Sequence, residues 1–353
     1  MPKQANVLEY KCPCCNAALT FGEESQKMEC KHCGNDFEMD TVKAFHETED
    51  EQTPFSWEDD KSNAHVPLVF QCPSCGAALD VDSTTVSTFC EFCGNAVVLA
   101  DRTGAFLKPD AVLPFKTSCD DAKAAFQQLC KKKLLLPKDF IQAHRVEKIT
   151  GHYVPFWLYS CDSQLTGKYR ATRVRTWSDS QYRYTKTDHF LLTRGAKAKF
   201  DKIPMDGSSK MDDTLMESIE PFDYDQMVDF NNAYLAGYLA DKYDVEAKKG
   251  ESRIRQRVST TMDEMVYASC VGYSSVVPMG KNLNIQHSKA KYVLLPVWMM
   301  QTEYMGNIYT FAMNGQSGKM TGTFPICRKK SLMWFSGICA AVTALVAAIL
   351  LLL

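Results

Sequence analysis

The pattern of apolar and polar positions changes character several times along the chain. From Leu332 to Leu353 it reads LMWFSGICAAVTALVAAILLLL, 22 residues without a charge or a polar face. As a helix such a run rises about 33 Å and matches a hydrocarbon core of about 30 Å. Residues 331–353 are therefore predicted to form a transmembrane helix. In DVEAKKGESRIRQRVSTTMDEMVYASC, residues Ile254, Val258, Met262, Met265 and Val266 recur at helical spacing. They predict the core face of a helix within a helical insert, 211–270.

Around that insert, residues 149–325 read mainly as strands rich in Tyr, Thr, Arg and Val. ITGHYVPFWLYSCDSQLTGKYRA and YVLLPVWMMQTEYMGNIYTFAM share a Pro-x-Trp theme, VPFW at 154–157 and LPVW at 295–298, each followed by a turn and a return strand. That suggests an internal duplication. Between them RTWSDSQYRY predicts a hairpin turning at Ser178 to Ser180. Further upstream, Ser118 is placed to cap a helix over DDAKAAFQQLCKKK, with Asp120 and Asp121 in its first turn and Lys131 to Lys133 a solvated end.

A second repeat is far more explicit. CPCCNAAL at 12–19 recurs as CPSCGAAL at 72–79, and CKHCGN at 30–35 as CEFCGN at 90–95. The shift of sixty pairs Cys12 with Cys72, Cys15 with Cys75, Cys30 with Cys90 and Cys33 with Cys93, while Cys14 falls on Ser74. Two CxxC turns joined by a hairpin-length connection can hold one Zn2+ tetrahedrally through four thiolates. Two Zn2+ ions are expected, one per block, with Gly34, Gly76 and Gly94 serving the tight turns after three of the four second cysteines. A redox CxxC pair, disulfides and a rubredoxin-like iron site are the rival readings. His32 faces Phe92 in the repeat and is expected outside the ligand shell.

The 353 residues, 45% hydrophobic, suggest two or three domains with an ordinary core. MPKQANVLEY has no apolar stretch of the secretory type, and the seven cysteines outside the two ligand sets form no framework. Both point to a reducing compartment. Arg328, Lys329 and Lys330 stand directly before the apolar run, so the preceding bulk is expected in the cytoplasm of a tail-anchored protein of the cell membrane.

Charge divides the chain. Between Glu9 and Asp101 there are 18 acidic and 5 basic residues, whereas 102–353 carry 34 basic and 24 acidic ones. Phosphate binding needs a positive footprint, so the cysteine blocks are poor candidates for nucleic acid. The stretch ETEDEQTPFSWEDDKSN lies in an expected linker, 41–67, which Phe55 and Trp57 could also make a recognition segment. The densest basic stretch, 168–202, has 10 basic and 3 acidic residues. Lys168, Arg170, Arg173, Arg175, Arg183 and Lys186 are its candidate contacts to an anionic surface, with a merely solvated strand pair, the inner membrane leaflet and nucleic acid as the three readings.

No catalytic motif emerges. In GYSSVVPMGKN at 272–282 seven residues separate the glycines and Asn282 stands where a Walker A has Ser or Thr. Asn314-Gly315 reads as a hairpin turn. HExxH, GxSxG and paired Cys/His arrangements are absent from the sequence.

The two CPxC/CxxCG blocks, VPFW, FNNAYLAGYLADKYD, LLPVWMM, YTFAMNGQSGKMTG and the basic-flanked terminal helix together resemble a bacterial family of TFIIB-type double zinc-ribbon membrane proteins. Relatives of that kind have been labelled primosomal helicase, and others resemble the membrane component of phage-shock-type envelope-stress complexes. The resemblance implies PspA- or SPFH-type protein partners. The expected architecture is multidomain: zinc ribbons at 8–40 and 68–101, a β-rich α+β cytoplasmic domain at 105–327, and the transmembrane helix. The expected function is that of a membrane-anchored adaptor for protein partners. The alternative is a membrane-tethered, nucleic-acid-associated protein.

Overall fold

A computed structural model describes residues 7–47, 70–99, 108–137, 139–140 and 148–352. Most of the acidic stretch expected as a linker lies outside them; its first residues continue helix α1, Met39–Glu47. The core of the molecule is an eleven-stranded sheet. Its centre is the antiparallel pair β10 (Lys148–Ser178) and β14 (Ser275–Tyr304). β11 (Arg183–Asp206) returns along β10, and β15 (Asn307–Asn314) returns along β14, followed by β16 (Met320–Gly322).

The two Pro-x-Trp segments lie against each other where the first part of β10 meets the last part of β14, with Val154 opposite Leu295 and Pro155 opposite Leu294. The faint duplication is thus a pair of strand–helix–strand–strand units. The first runs from β9 (Ala111–Val112) through α2 (Cys119–Lys131) to β10 and β11. The second runs from β13 (Leu239–Asp241) through α4 (Ala247–Ala268) to β14 and β15. Each lends its short strand to the other: β13 runs parallel to β10, His152 opposite Leu239, and β9 parallel to β14, Val293 opposite Ala111.

The same exchange ties the helix starts. Trp157 Nε1 donates to Val245 O (2.8 Å), just before α4, and Trp298 Nε1 donates to Thr117 O (2.9 Å), just before α2. Gly207 N donates to Pro155 O and Gly315 N to Pro296 O; the carbonyls of those glycines accept from Val245 N and Thr117 N. A buried indole with an unmet N–H would be costly, so both tryptophans are fixed in depth and rotation. α2 starts on a reciprocal cap between Ser118 and Asp121, as its sequence predicts.

The predicted helical insert resolves into less helix than expected. α3 (Asp213–Ser218) is short, and between it and α4 come two 3-10 turns, β12 (Val228–Asp229) and β13. In α4, Ile254, Val258, Met262 and Val266 are buried as expected, but Met265 is 44% exposed. The helical period keeps 265 within about 20° of Val258, so its exposure is set by what packs there and not by its place on the helix. Gly250 in the same helix is needed for close approach, since a Cβ there would lie 1.8 Å from Met205 Sδ.

Beyond Tyr159 the strands β10, β11 and β14 leave the double-unit core as a three-stranded extension. α4 covers the face that holds Cys161, Leu165 and Tyr169, while the opposite face, with Gln164, Lys168 and Arg170, is exposed. The hairpin predicted at Ser178 to Ser180 turns between Asp179 and Tyr182.

Apart from this body, α5 (Arg328–Leu352) carries an apolar window with mean hydropathy 2.1, none of it buried. It is long and apolar enough to cross a membrane.

Candidate metal centres

Each cysteine block folds as two knuckles presented by short strands. In the first, β2 (Thr20–Phe21), β3 (Met28–Glu29) and β4 (Asp36–Phe37) form a separate three-stranded sheet. In the second, β5 (Phe70–Gln71) pairs with β6 (Ala78–Leu79), while β7 (Thr85–Phe89) and β8 (Ala96–Leu99) belong to the main sheet. Every knuckle turns through a left-handed residue: Gly34, Gly76 and Gly94 with φ of 72°, 72° and 77°, and Asn16 with φ 58°. Asn is the side chain that tolerates this region best after glycine, which explains why position 16 can differ from 76.

The turns bring four sulfurs together twice. Cys12, Cys15, Cys30 and Cys33 form one group and Cys72, Cys75, Cys90 and Cys93 the other, all ligand atoms within 4.8 Å of one another. Sγ–Sγ distances are 3.6 Å for Cys12–Cys33, 3.4 Å for Cys15–Cys30, 3.6 Å for Cys72–Cys93 and 3.7 Å for Cys75–Cys90. A disulfide would need about 2.05 Å. Four sulfurs placed tetrahedrally about an ion at about 2.3 Å would stand about 3.8 Å apart. The donor sets fit a metal ion and exclude disulfides within each group.

Electrostatics prepare both groups for a cation. Burial opposes ionisation of Cys30, yet the N–H groups of Cys33 and His32 and the adjacent thiols bring it down to about 6. The N–H of Cys93, with that of Phe92, brings Cys90 down to about 7 against burial. Cys93 goes the other way: the Asn95 N–H favours its thiolate, but burial and the neighbouring sulfurs push it up to about 12. One thiolate per group therefore forms readily, while Cys15 and Cys93 beside it resist ionisation, a conflict that a bound cation removes. Cys14 is exposed and outside the group, its backbone N–H donating to Cys12 Sγ at 3.4 Å. His32 is outside as well, and Phe92 at its repeat position is 75% exposed.

Both blocks sit on one seat, residues 230–241. Phe21 N donates to Ala236 O and the Phe21 ring packs edge-on against Tyr234 at 5.1 Å. Ser87 Oγ from the second block donates to Tyr238 O at 2.8 Å, and β7 pairs with β13. Strand β1 (Val7–Leu8), ahead of the first block, pairs with β8 of the second.

The six basic candidates of the extension do not form one patch. Lys168 and Arg170 lie on the open face; Arg173 lies over the rings of Phe190 and Tyr273 at 5.4 and 5.3 Å, and Arg175 stands opposite Lys186 on the face that α4 covers further in. Arg183 is at the turn, and Lys186 pairs with Asp188 at 3.3 Å. At the tip Trp177 stacks on Tyr184 with centroids 5.6 Å apart. The glycine-rich stretch at 272–282 is no phosphate loop: Lys281 lies in β14 and bonds Asp263 and Ser259 of α4. Arg328 and Lys329 are exposed at the start of α5, and Lys330 Nζ donates to Leu136 O at 2.6 Å.

One ionisable group escaped the sequence reading. Asp206, 4% exposed, ends β11 where Asn314 ends β15, and Arg253 bonds it together with Asp213 and Glu217. Burial and then the Asp213 carboxylate push Asp206 up to about 7 against the pull of Arg253. Its signal was the Asp-Gly pair at 206–207, the counterpart of Asn314-Gly315.

The chain is 36% identical over 332 residues to the uncharacterized protein YdjG of Bacillus subtilis (strain 168), which covers 94% of this chain and 94% of that protein. The chain belongs to the YdjG family. That match spans nearly the full length of both proteins. No family model and no solved structure matches the chain.

Proposed function

We propose that the protein is a membrane-anchored adaptor whose two cysteine groups hold structural Zn2+ and whose ribbons, together with the body, bind cytoplasmic protein partners at the inner face of the membrane. The observation that carries this reading is the closure of both groups: four sulfurs each, no position left for a substrate, and both blocks packed on the same seat of the sheet. Closed tetrahedral sets of this kind are structural, whereas catalytic zinc keeps an open site. Reduced thiols such as Cys130, Cys161 and Cys270, and the basic residues Arg328 to Lys330 before the apolar helix, support a cytoplasmic body. The resemblance to TFIIB-type double zinc-ribbon membrane proteins points to PspA- or SPFH-type partners and an envelope-stress setting.

Exposed Phe92 at a knuckle tip is the natural anchor for such a partner, since aromatic side chains dominate binding hot spots. Tagged protein purified from native membranes in mild detergent should retain partners that Phe92→Glu loses, with metal content and membrane pelleting unchanged. Identical partner sets would refute the role of the ribbons. A second reading, a membrane-tethered nucleic-acid-associated protein, is favoured by the Trp177–Tyr184 stack beside Arg175, Arg183 and Lys186. Nuclease-sensitive, salt-sensitive retention of nucleic acid that Trp177→Ala abolishes would select it.

A further inference from the structure

Lysines 131 to 133 read in the sequence as a solvated helix end, but the structure sets them beside the root of the apolar helix. Cys327 N donates to Leu135 O at 2.9 Å, and Lys330 Nζ to Leu136 O at 2.6 Å, so the turn after α2 is pinned to the first turn of α5. Leu134, 66% exposed, lines one wall of a groove of about 510 Å3 whose other wall is Met333, Trp334, Gly337 and Ile338. From Lys330 to Gly337 a helix rises about 10 Å. A side chain at that level lies beside the apolar part of α5, past its basic start. On the other flank Ile326 is 68% exposed next to Arg328, Leu332 and Phe335.

We infer that this corner is a second membrane contact, in which Leu134 enters the acyl layer and Lys131, Lys132 and Lys133 join Arg328, Lys329 and Lys330 in a basic collar that holds anionic phospholipid. The inference rests on reading α5 as a membrane anchor. In water an exposed leucine between three exposed lysines and an apolar helix has nothing to bind. At an anionic bilayer surface each of these groups has its complement: acyl chain for Leu134, phosphate for the ammonium groups, which can reach the headgroups on their long stems. Lys133 also lies 5.3 Å from the Phe324 ring, which holds its charge at the corner. Asp139 is the one acid between Lys131 and Phe140, so the collar keeps its positive sign.

The test places p-benzoylphenylalanine at Leu134 in the full-length protein, reconstituted in nanodiscs of equal phosphatidylglycerol and phosphatidylcholine. On irradiation, lipid adducts should form, with phosphatidylglycerol recovered several-fold over phosphatidylcholine. The combined Lys131→Glu, Lys132→Glu and Lys133→Glu variant should lose that preference, and because all three side chains are exposed its circular dichroism should not change. Adducts confined to peptides of α5, or equal recovery of both lipids from the unaltered collar, would overturn the inference. If the protein does not stay in the discs at all, the anchor reading itself fails, a separate and recognisable outcome that takes the collar with it.

Discussion

The cysteine blocks and the two body units are both repeats, and they differ in what is repeated. The blocks repeat residues, since a set of four thiols able to hold one ion needs every member and the turns that aim them admit few side chains. Yet their surroundings diverge: the first keeps its own small sheet, while the second gives β7 and β8 to the main sheet. The body units repeat almost no residues beyond Pro-x-Trp, yet share a register of strands, glycine turns and indole hydrogen bonds. Metal coordination constrains side chains; a sheet constrains the backbone and accepts many side chains that fill its faces.

The strongest way to break the first half of this comparison is Cys72→Ser against Cys12→Ser. A structural zinc site contributes on the order of 10 kcal/mol of apparent binding free energy. Each variant should lose one metal ion per chain by elemental analysis. Only Cys72→Ser should speed hydrogen exchange at 85–99 and 239–241, where the second block joins the main sheet. Equal exchange in both variants would show that the blocks are equivalent after all.

The body units are tested by Trp157→Ala and Trp298→Ala, each expected to cost about 3–5 kcal/mol in denaturant unfolding of the detergent-solubilised protein. The Phe variants should each lose only the indole hydrogen bond, about 1 kcal/mol. Costs that differ widely between the two tryptophans would mean that the shared register does not carry shared energetics.

Asp206 marks the place where the units diverge in chemistry, because its counterpart Asn314 is neutral and donates through Nδ2 to Ile219 O and Pro221 O at 3.1 Å each. An aspartate held at about 7 in the fold and near 3.9 when unfolded binds its proton more tightly in the native state. Its contribution is therefore complete below about pH 4 and is lost as pH rises toward about 7. Asp206→Asn should stabilise the protein by roughly 4 kcal/mol at pH 8 relative to pH 4, compared with wild type. A constant difference between wild type and variant across that range would exclude a native-state proton on Asp206.

The smallest effect is expected of Cys14→Ser, the one cysteine of the first block without a counterpart in the second. Metal content and unfolding midpoint should remain at wild-type values, since Cys14 is exposed and outside the sulfur group. Loss of metal would bring Cys14 into the ligand shell and end the correspondence at plus sixty.

Legibility followed range. The eight thiols, the α2 cap and the stripe Ile254, Val258, Met262 and Val266 were readable because their partners are close in sequence or periodic. Met265 was misassigned because its helical position is that of the buried stripe, and only the neighbouring elements decide that it stays 44% exposed. The helical reading of 211–270 failed where β13 is recruited by β10, a pairing across about ninety residues that no local propensity records. Lys131 to Lys133 looked idle because nothing nearby in sequence shows that α5 starts beside them.

By itself, the sequence determined which residues can hold a metal, which segment can cross a membrane and where the turns fall, since coordination number, bilayer thickness and backbone sterics act over a few residues. Only the tertiary structure decided that both cysteine blocks share a seat at 230–241, that each body unit completes the other, that Asp206 is enclosed beside Asp213, and that a lysine corner stands at the start of α5. Those features depend on pairing and packing between segments far apart in the chain, whose selection is made by the whole core and by no single stretch of it.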